Sequence, residues 1–413
     1  MRLLCVSFFA LIPFGTWAQK TLSRHPDIKT VQVLLNGEAG RFPVMQMGSD
    51  DCVEVSFDHL THEYERFEYR LVHCDRDWQP DGMPLGDYAD YTQESIPIAD
   101  YAYSFNTTQL YTHYTFNLPS DNLRPLVSGN YRIDIARDGD YEEGLMATAC
   151  FMMAENAAKV SLNVTDNTEV DWKQTHQQVQ LDVDYSSLQP TPFNPKEEIT
   201  TIVLQNQRWD NARRAILPEQ TAGNHMLWTH SRELVFKAGN EYRRFENTTT
   251  HHAAMGMESL QWYDPYYHAQ LRLAEPRRHY VYDHDQNGLS LVRTIDGYDS
   301  DTEADYMYVH FELQMPPLPE GQHVYVQSHW SGDSLTPANE LYYNASRGIY
   351  ERAILLKQGY YDFQYLVTDS PSHPGRTAPV EGDFFQTENQ YSVLVYYRNP
   401  FDRYDRLIGV GGI

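Results

Sequence analysis

Alternation of apolar and polar residues runs through most of the chain. In CVEVSFDHL, Val53, Val55 and Phe57 fall on one face, and Glu54, Ser56 and Asp58 on the other. RFEYRLVHC repeats the pattern with Phe67, Tyr69 and Leu71. GNYRIDIARDGD sets Tyr131, Ile133 and Ile135 against Arg132 and Asp134, then turns at Asp138-Gly139. A period of two, built from β-branched and aromatic residues, predicts half-buried strands. No long stretch carries the helical period. The unit Gly-x-Tyr begins three predicted strands, at Gly129, Gly348 and Gly359. Glycine can take the positive φ that a tight start needs, and the Tyr two places on opens the inward face. Strands of this kind, about ten residues apart, predict an all-β chain of tandem immunoglobulin-like or E-set β-sandwich domains.

The pattern divides into three blocks. Residues 19–155 form the first expected sandwich and 156–303 the second, joined through AENAAKV (154–160), which has no aromatics. The third, 304–400, opens on YMYVHFELQM, and Pro316, Pro317 and Pro319 then end that ladder. Residues 401–413 are left as a tail. Before the first block, residues 1–18 read as a secretory signal peptide. Arg2 is its positive end, residues 3–14 its apolar run, and Thr16-Trp17-Ala18 its cleavage site before Gln19. No later stretch approaches the ~20 apolar residues of a membrane-spanning helix. The expectation is an exported chain without a membrane span.

Composition sharpens this. A length of 413 residues fits two or three domains. Mean hydropathy is low at -0.59, yet aromatics reach 13%, with 31 Tyr and 17 Phe. Disordered chains are poor in aromatics, so this one folds. Lys and Arg number 32 against 57 Asp and Glu, a net charge of -25. Phosphate backbones would be repelled, which argues against nucleic acid, and nothing polybasic is present to hold an anionic membrane. Removing the signal leaves Cys52, Cys74 and Cys150. An odd count argues against a disulfide framework; one bridge or buried free thiols both stay open.

Candidate chemistry is sparse. VYDHDQNGLS (281–290) places Asp283, Asp285 and Asn287 at the offsets of the first half of a calcium loop. The twelfth position is Thr294, where calcium needs a bidentate acid. Asn287-Gly288 is also a strong hairpin signal, so a tight turn is expected. A weaker ion site, helped by Asp299, Asp301, Glu303 and Asp305, is the alternative. SGDSLTP offers Ser334 as a lipase-like nucleophile, but no Asp-x-x-His follows it to supply a base. His251 and His252 are adjacent, so on a strand they would face opposite ways. Asp75 and Asp77 could pair as acid and base, but lie in a Pro-Asp-Gly loop. Trp330, Tyr342, Tyr343, Tyr350 and Tyr361 could stack on sugar or fill a core, and core is expected. The reading is therefore no enzyme, no cofactor and no catalytic residue.

Several blocks together resemble one family. They are YRLVHCDRDW (69–78), DYAYSFNTTQLYTHYTFNLP (100–119), LVSGNYRIDI (126–135), QNQRWDNA (205–212), AGNEYRRFE (238–246), YDHDQNG (282–288), LLKQGYYDFQY (355–365) and YYRNPFDRYDRLIG (396–409). In this order they resemble the plug proteins of the Bacteroidetes type IX secretion system, over nearly the whole mature chain. The resemblance implies a periplasmic protein that does no chemistry. It would close the periplasmic side of the outer-membrane translocon barrel when no cargo passes. The ending DRLIGVGGI does not resemble the signal domain of exported cargo, which favours retention. The third block also resembles glycogen-binding modules, with VYVQSHWSGDSL a partial match. Ser328 stands where those modules have Gly, and their Asn-x-Trp is absent. Weak glycan binding is therefore the alternative. Partner contacts are expected in the Pro/Gly-rich loops 76–88 and 370–383, through Trp78, Asp81, Tyr88, Arg376 and Glu381.

Overall fold

The computed structural model describes residues 21–332, 334–370 and 372–412. The signal-peptide expectation lies outside these residues. The regular structure of the described chain is nearly all strand, and its three α-helices, Leu85–Tyr88, Pro195–Glu198 and Ser300–Glu303, have four residues each. None of its helices is long and apolar enough to cross a membrane.

The predicted alternation builds the first sandwich. One sheet runs in the order Leu22–Ser23, Leu145–Ala154, Gly129–Arg137, Phe67–Cys74, Ile96–Pro97, with Val44–Gln46 parallel to Leu145–Ala154. The facing sheet runs Ile28–Leu35, Val53–His59, Thr112–Leu118, Asp100–Tyr103. Val53, Val55, Phe57, Phe67, Tyr69, Leu71, Tyr131, Ile133 and Ile135 all enter the core between them. Offset-stacked and edge-on rings fill it, including Tyr69 on Phe116 at 4.1 Å and Tyr131 on Phe151 at 5.1 Å.

The second sandwich is assembled from both ends of the remaining chain. One sheet joins Lys159–Thr165, His176–Asp184, His225–Trp228 and Gln220–Ala222, with Val235–Lys237 alongside His176–Asp184. The other runs Arg208–Arg214, Ile199–Gln205, Tyr391–Tyr397, Arg406–Gly411. Tyr391, Val393, Val395 and Ile408 share its core with Val179, Val183, Trp228 and Phe236. Between these two ends lies the third unit. Its strands follow the order Arg243–Glu246, Gly359–Thr368, His323–Gln327, Glu340–Asn344, Ile349–Lys357, Tyr306–Leu313, Tyr266–Leu271, Met257–Tyr263. The sheet curls so that Phe245 and Phe363 meet Phe311, at 5.8 and 5.2 Å between rings.

Strand pairing thus redraws the expected boundaries. Tyr266–Leu271, assigned to 156–303, pairs with Tyr306–Leu313 of the third unit. Tyr391–Tyr397, assigned to 304–400, pairs with Ile199–Gln205 of the second. The 401–413 tail contains the strand Arg406–Gly411. The period of two locates a strand and its faces, but carries no information on which neighbour it joins.

A fourth apolar cluster fuses the first two sandwiches. It combines Phe42, Trp78, Cys150 and Met152 with Ile202, Trp209, Leu394, Tyr396 and Leu407. Cys52 and Cys74 are free thiols, and Cys74 and Cys150 are buried. Burial pushes the Cys74 thiol well above its ordinary pKa, so it packs as a small apolar group.

Candidate functional site

The side chains with the most reactive chemistry gather in the seams between sandwiches. Asp58 is on the nominally polar face of Val53–His59, yet it is almost fully buried, because the third unit covers that face. Its carboxylate accepts from Lys357 Nζ at 2.6 Å and from Tyr306 Oη at 2.6 Å, and it meets His113 Nδ1 at 2.7 Å. Lys357 also donates to the carbonyl of Asp301 at 2.8 Å and stands 4.2 Å from the centre of the Tyr111 ring. Burial alone would raise the Asp58 pKa; the Lys357 charge and the His113 hydrogen bond outweigh it and hold it below the ordinary carboxylate value. An Asp-His-Lys-Tyr set could move protons if substrate reached it. Here Asp58, Tyr306 and Lys357 are all sealed from solvent, so the arrangement works as a clamp between the first and third units. No motif marks these residues in sequence; the one signal is an acid adjoining the apolar core strand.

Other seams follow the same rule. Arg76 reaches Asp405 at 3.1 Å, and Arg406 reaches Glu155 at 2.5 Å, joining the first and second units. Asp305 accepts from Thr108 N at 2.9 Å, Thr108 Oγ1 at 2.7 Å and Gln109 N at 3.0 Å, tying the loop after Asp100–Tyr103 to the third unit.

The expected partner residues mostly lie inside the molecule. Trp78 is buried in the seam, edge-on to Trp209 with ring centres 5.7 Å apart. Asp81 holds His73 at 2.5 Å, and the Tyr88 hydroxyl donates to the carbonyl of Leu71 at 2.9 Å. Glu381 is buried and pairs with Arg243 at 3.0 Å and Arg277 at 3.6 Å. Only Arg376 of the five is exposed. The loops were read as surface because they are rich in Pro, Gly and charge. In the fold they pack against neighbouring units: Asp77 meets Arg214 at 3.2 Å, and Arg208 donates to the carbonyl of Gly375 at 3.0 Å.

The calcium-like loop is a turn whose acids serve protein donors. Asp283 pairs with Arg244, and Asp285 accepts from the backbone N–H of Tyr242 and of Asn287. Asn287 takes the positive φ of 55° and Gly288 one of 92°, as a tight turn requires. Burial pushes Asp285 up to about 6. Asp299, Glu303 and Asp305 accept from the backbone N–H groups of Asp301, Tyr298 and Tyr306; among the described residues no group of three or more His, Cys, Asp or Glu is placed to hold a metal.

The remaining candidates are separated or occupied. The Ser334 hydroxyl donates to the carbonyl of Gly332 at 3.2 Å. Asp75 accepts from the N–H groups of Asp77 and Gln79, both at 2.9 Å, and so shapes a turn. His251 and His252 are exposed, with His251 3.8 Å from Asp296. Tyr350 and Tyr361 are buried as expected, with Tyr361 stacked on Phe245 at 5.0 Å. Trp330 lines a cleft of about 430 Å³ where the three units meet, whereas Tyr342 and Tyr343 line a different hollow. The five rings do not form one platform.

Comparison with known proteins places this architecture. Residues 28–155 match the family described as "Type 9 secretion system plug protein 1st domain". The crystal structure of a hypothetical protein from Parabacteroides merdae ATCC 43184 superposes with a TM-score of 0.90 at 37% identity, over 95% of this chain and 98% of that one. Dimeric latent PorU from Porphyromonas gingivalis aligns at a TM-score of only 0.15 and 10% identity, over 93% of this chain and 34% of that one, which carries no argument. No curated protein matches. The first sandwich is the element the family model matches, and the chain thus carries a first domain of the type 9 secretion system plug protein family.

Proposed function

We propose that the protein is a non-enzymatic, periplasmic component of type IX secretion that closes the inner mouth of the outer-membrane translocon barrel. The observation that carries this reading is the match of residues 28–155 to the plug family's first domain. The packing supports it. Charged groups that elsewhere do chemistry are consumed here in bracing three sandwiches against each other. A braced body of this kind suits a stopper, because a seal must keep its shape under load. The net charge of -25 argues against phosphate-rich surfaces as its partner.

Two measurements test it together. The chain should co-purify with a very large barrel protein from solubilised outer membranes. Cells lacking it should take up large hydrophilic dyes that wild-type cells exclude. An intact permeability barrier in the deletion strain would overturn the closing role.

A further inference from the structure

One sheet edge of the first sandwich is left open. Asp100–Tyr103 pairs on one side with Thr112–Leu118 and, among the described residues, with nothing on the other. All four of its residues are exposed. The Ser104 N–H donates to the carbonyl of Tyr111 at 2.9 Å. In an antiparallel ladder the bonding direction alternates, so the N–H and C=O of Tyr101 and Tyr103 point to the open side. Natural edges are blunted by Lys, Pro or bulges, and this one has none of them.

Rings surround that edge. Tyr64 lies 4.8 Å from Tyr101, Tyr101 5.7 Å from Tyr103, and His62 5.0 Å from Tyr103. Phe105 follows, 63% exposed. The Phe105 N–H donates to the carbonyl of Thr302 at 2.9 Å, and Asp305 holds the same loop through Thr108 and Gln109. The fringe is therefore fixed in place before any partner arrives, which lowers the ordering cost of binding.

Charge selects the occupant. Glu63, Asp100, Asp299 and Asp301 are exposed around the fringe. The one Lys or Arg in residues 60–66, 94–110 and 295–305 is Arg66, already paired with Glu68 at 2.5 Å. An anionic lipid surface would be repelled. A second copy would bring the same acids face to face.

Resting on the reading of the chain as a docked secretion component, we propose that Asp100–Tyr103 receives an extended protein segment by β-strand addition. That segment carries apolar side chains for the rings and Lys or Arg for the flanking acids. Backbone bonding supplies the register, and the rings and acids supply the selectivity.

The test uses the full chain in its own cells, with a photo-reactive phenylalanine analogue at position 103 or 105. Position 193 serves as control, because Phe193 is 99% exposed on the second unit. The expected result is cross-linking from 103 and 105, and not from 193, to a Lys/Arg-bearing segment of one partner, read by peptide sequencing. Two variants that keep wild-type folding by circular dichroism separate the contributions. Tyr103→Ala removes the ring and should weaken retention of that partner about tenfold. Tyr103→Pro also removes the outward N–H and should weaken it further. Cross-links to lipid, to a second copy or to nothing, or equal retention of both variants and wild type, would overturn strand addition. If the sequenced partner is not an outer-membrane translocon protein, the closing role falls while strand addition stands. If the barrel co-purifies equally with all variants, the closing role stands and strand addition falls.

Discussion

Lys357 and Asp58 show how one pair can hold two sandwiches together. With both groups buried, Lys357→Met removes the ammonium that neutralises the Asp58 carboxylate and should cost about 3–5 kcal/mol, measured as a fall in thermal midpoint. Adding Asp58→Asn should recover part of that loss, because the unpaired charge is gone; a strictly additive double variant would argue against the clamp. The pair also sets an acid limit. The folded pKa of Asp58 lies below its unfolded value of about 3.9, so its contribution is complete above about pH 4. It is lost as pH falls through the folded value, and Asp58→Asn should flatten that part of the stability profile. None of this was legible in sequence. Asp58 followed the alternation outward as expected, but outward meant into another unit rather than into water.

Single elements show where local signals suffice and where they do not. The three Gly-x-Tyr starts were read alike, and the Tyr of each does turn inward. Their glycines differ. Gly129 and Gly348 have positive φ, 133° and 69°. Gly359 does not; it is needed because a Cβ there would come within 2.3 Å of the carbonyl of Leu291. At Gly129 a Cβ would meet His73 Nε2 at 2.6 Å and the carbonyl of Asp405 at 3.1 Å, whereas at Gly348 nothing lies within 4 Å. Gly348→Ala should therefore cost about 1–2 kcal/mol from backbone strain alone. Gly129→Ala should cost about 2–5 kcal/mol, since overpacking adds to the strain. Thermal midpoints of the two variants check the order, and equal shifts would refute the packing account. The motif was visible in sequence, but the close approaches that separate its three copies were not.

At the scale of the whole molecule, the second sandwich closes only when the chain returns from the third. Leu407 and Ile408 are fully buried, and Arg406–Gly411 pairs with Tyr391–Tyr397. A chain ending at residue 400 exposes an apolar edge and loses about 1.5–3 kcal/mol for each of those side chains. It should aggregate or lose its cooperative thermal transition; a soluble product with the full-length midpoint would contradict the pairing. The sequence by itself determined the strands, their inward faces, the absence of long helices among the described residues and the likeness to the plug proteins' first domain. These are consequences of side-chain alternation over a few residues and of ordered blocks along the chain. Only the tertiary structure decided which strands share a sheet and which polar faces are covered. It also decided that Trp78, Tyr88 and Glu381, expected to meet a partner, are buried within the chain itself. Those outcomes depend on contacts between residues hundreds of positions apart, such as Asp58 with Lys357, and no local pattern encodes them.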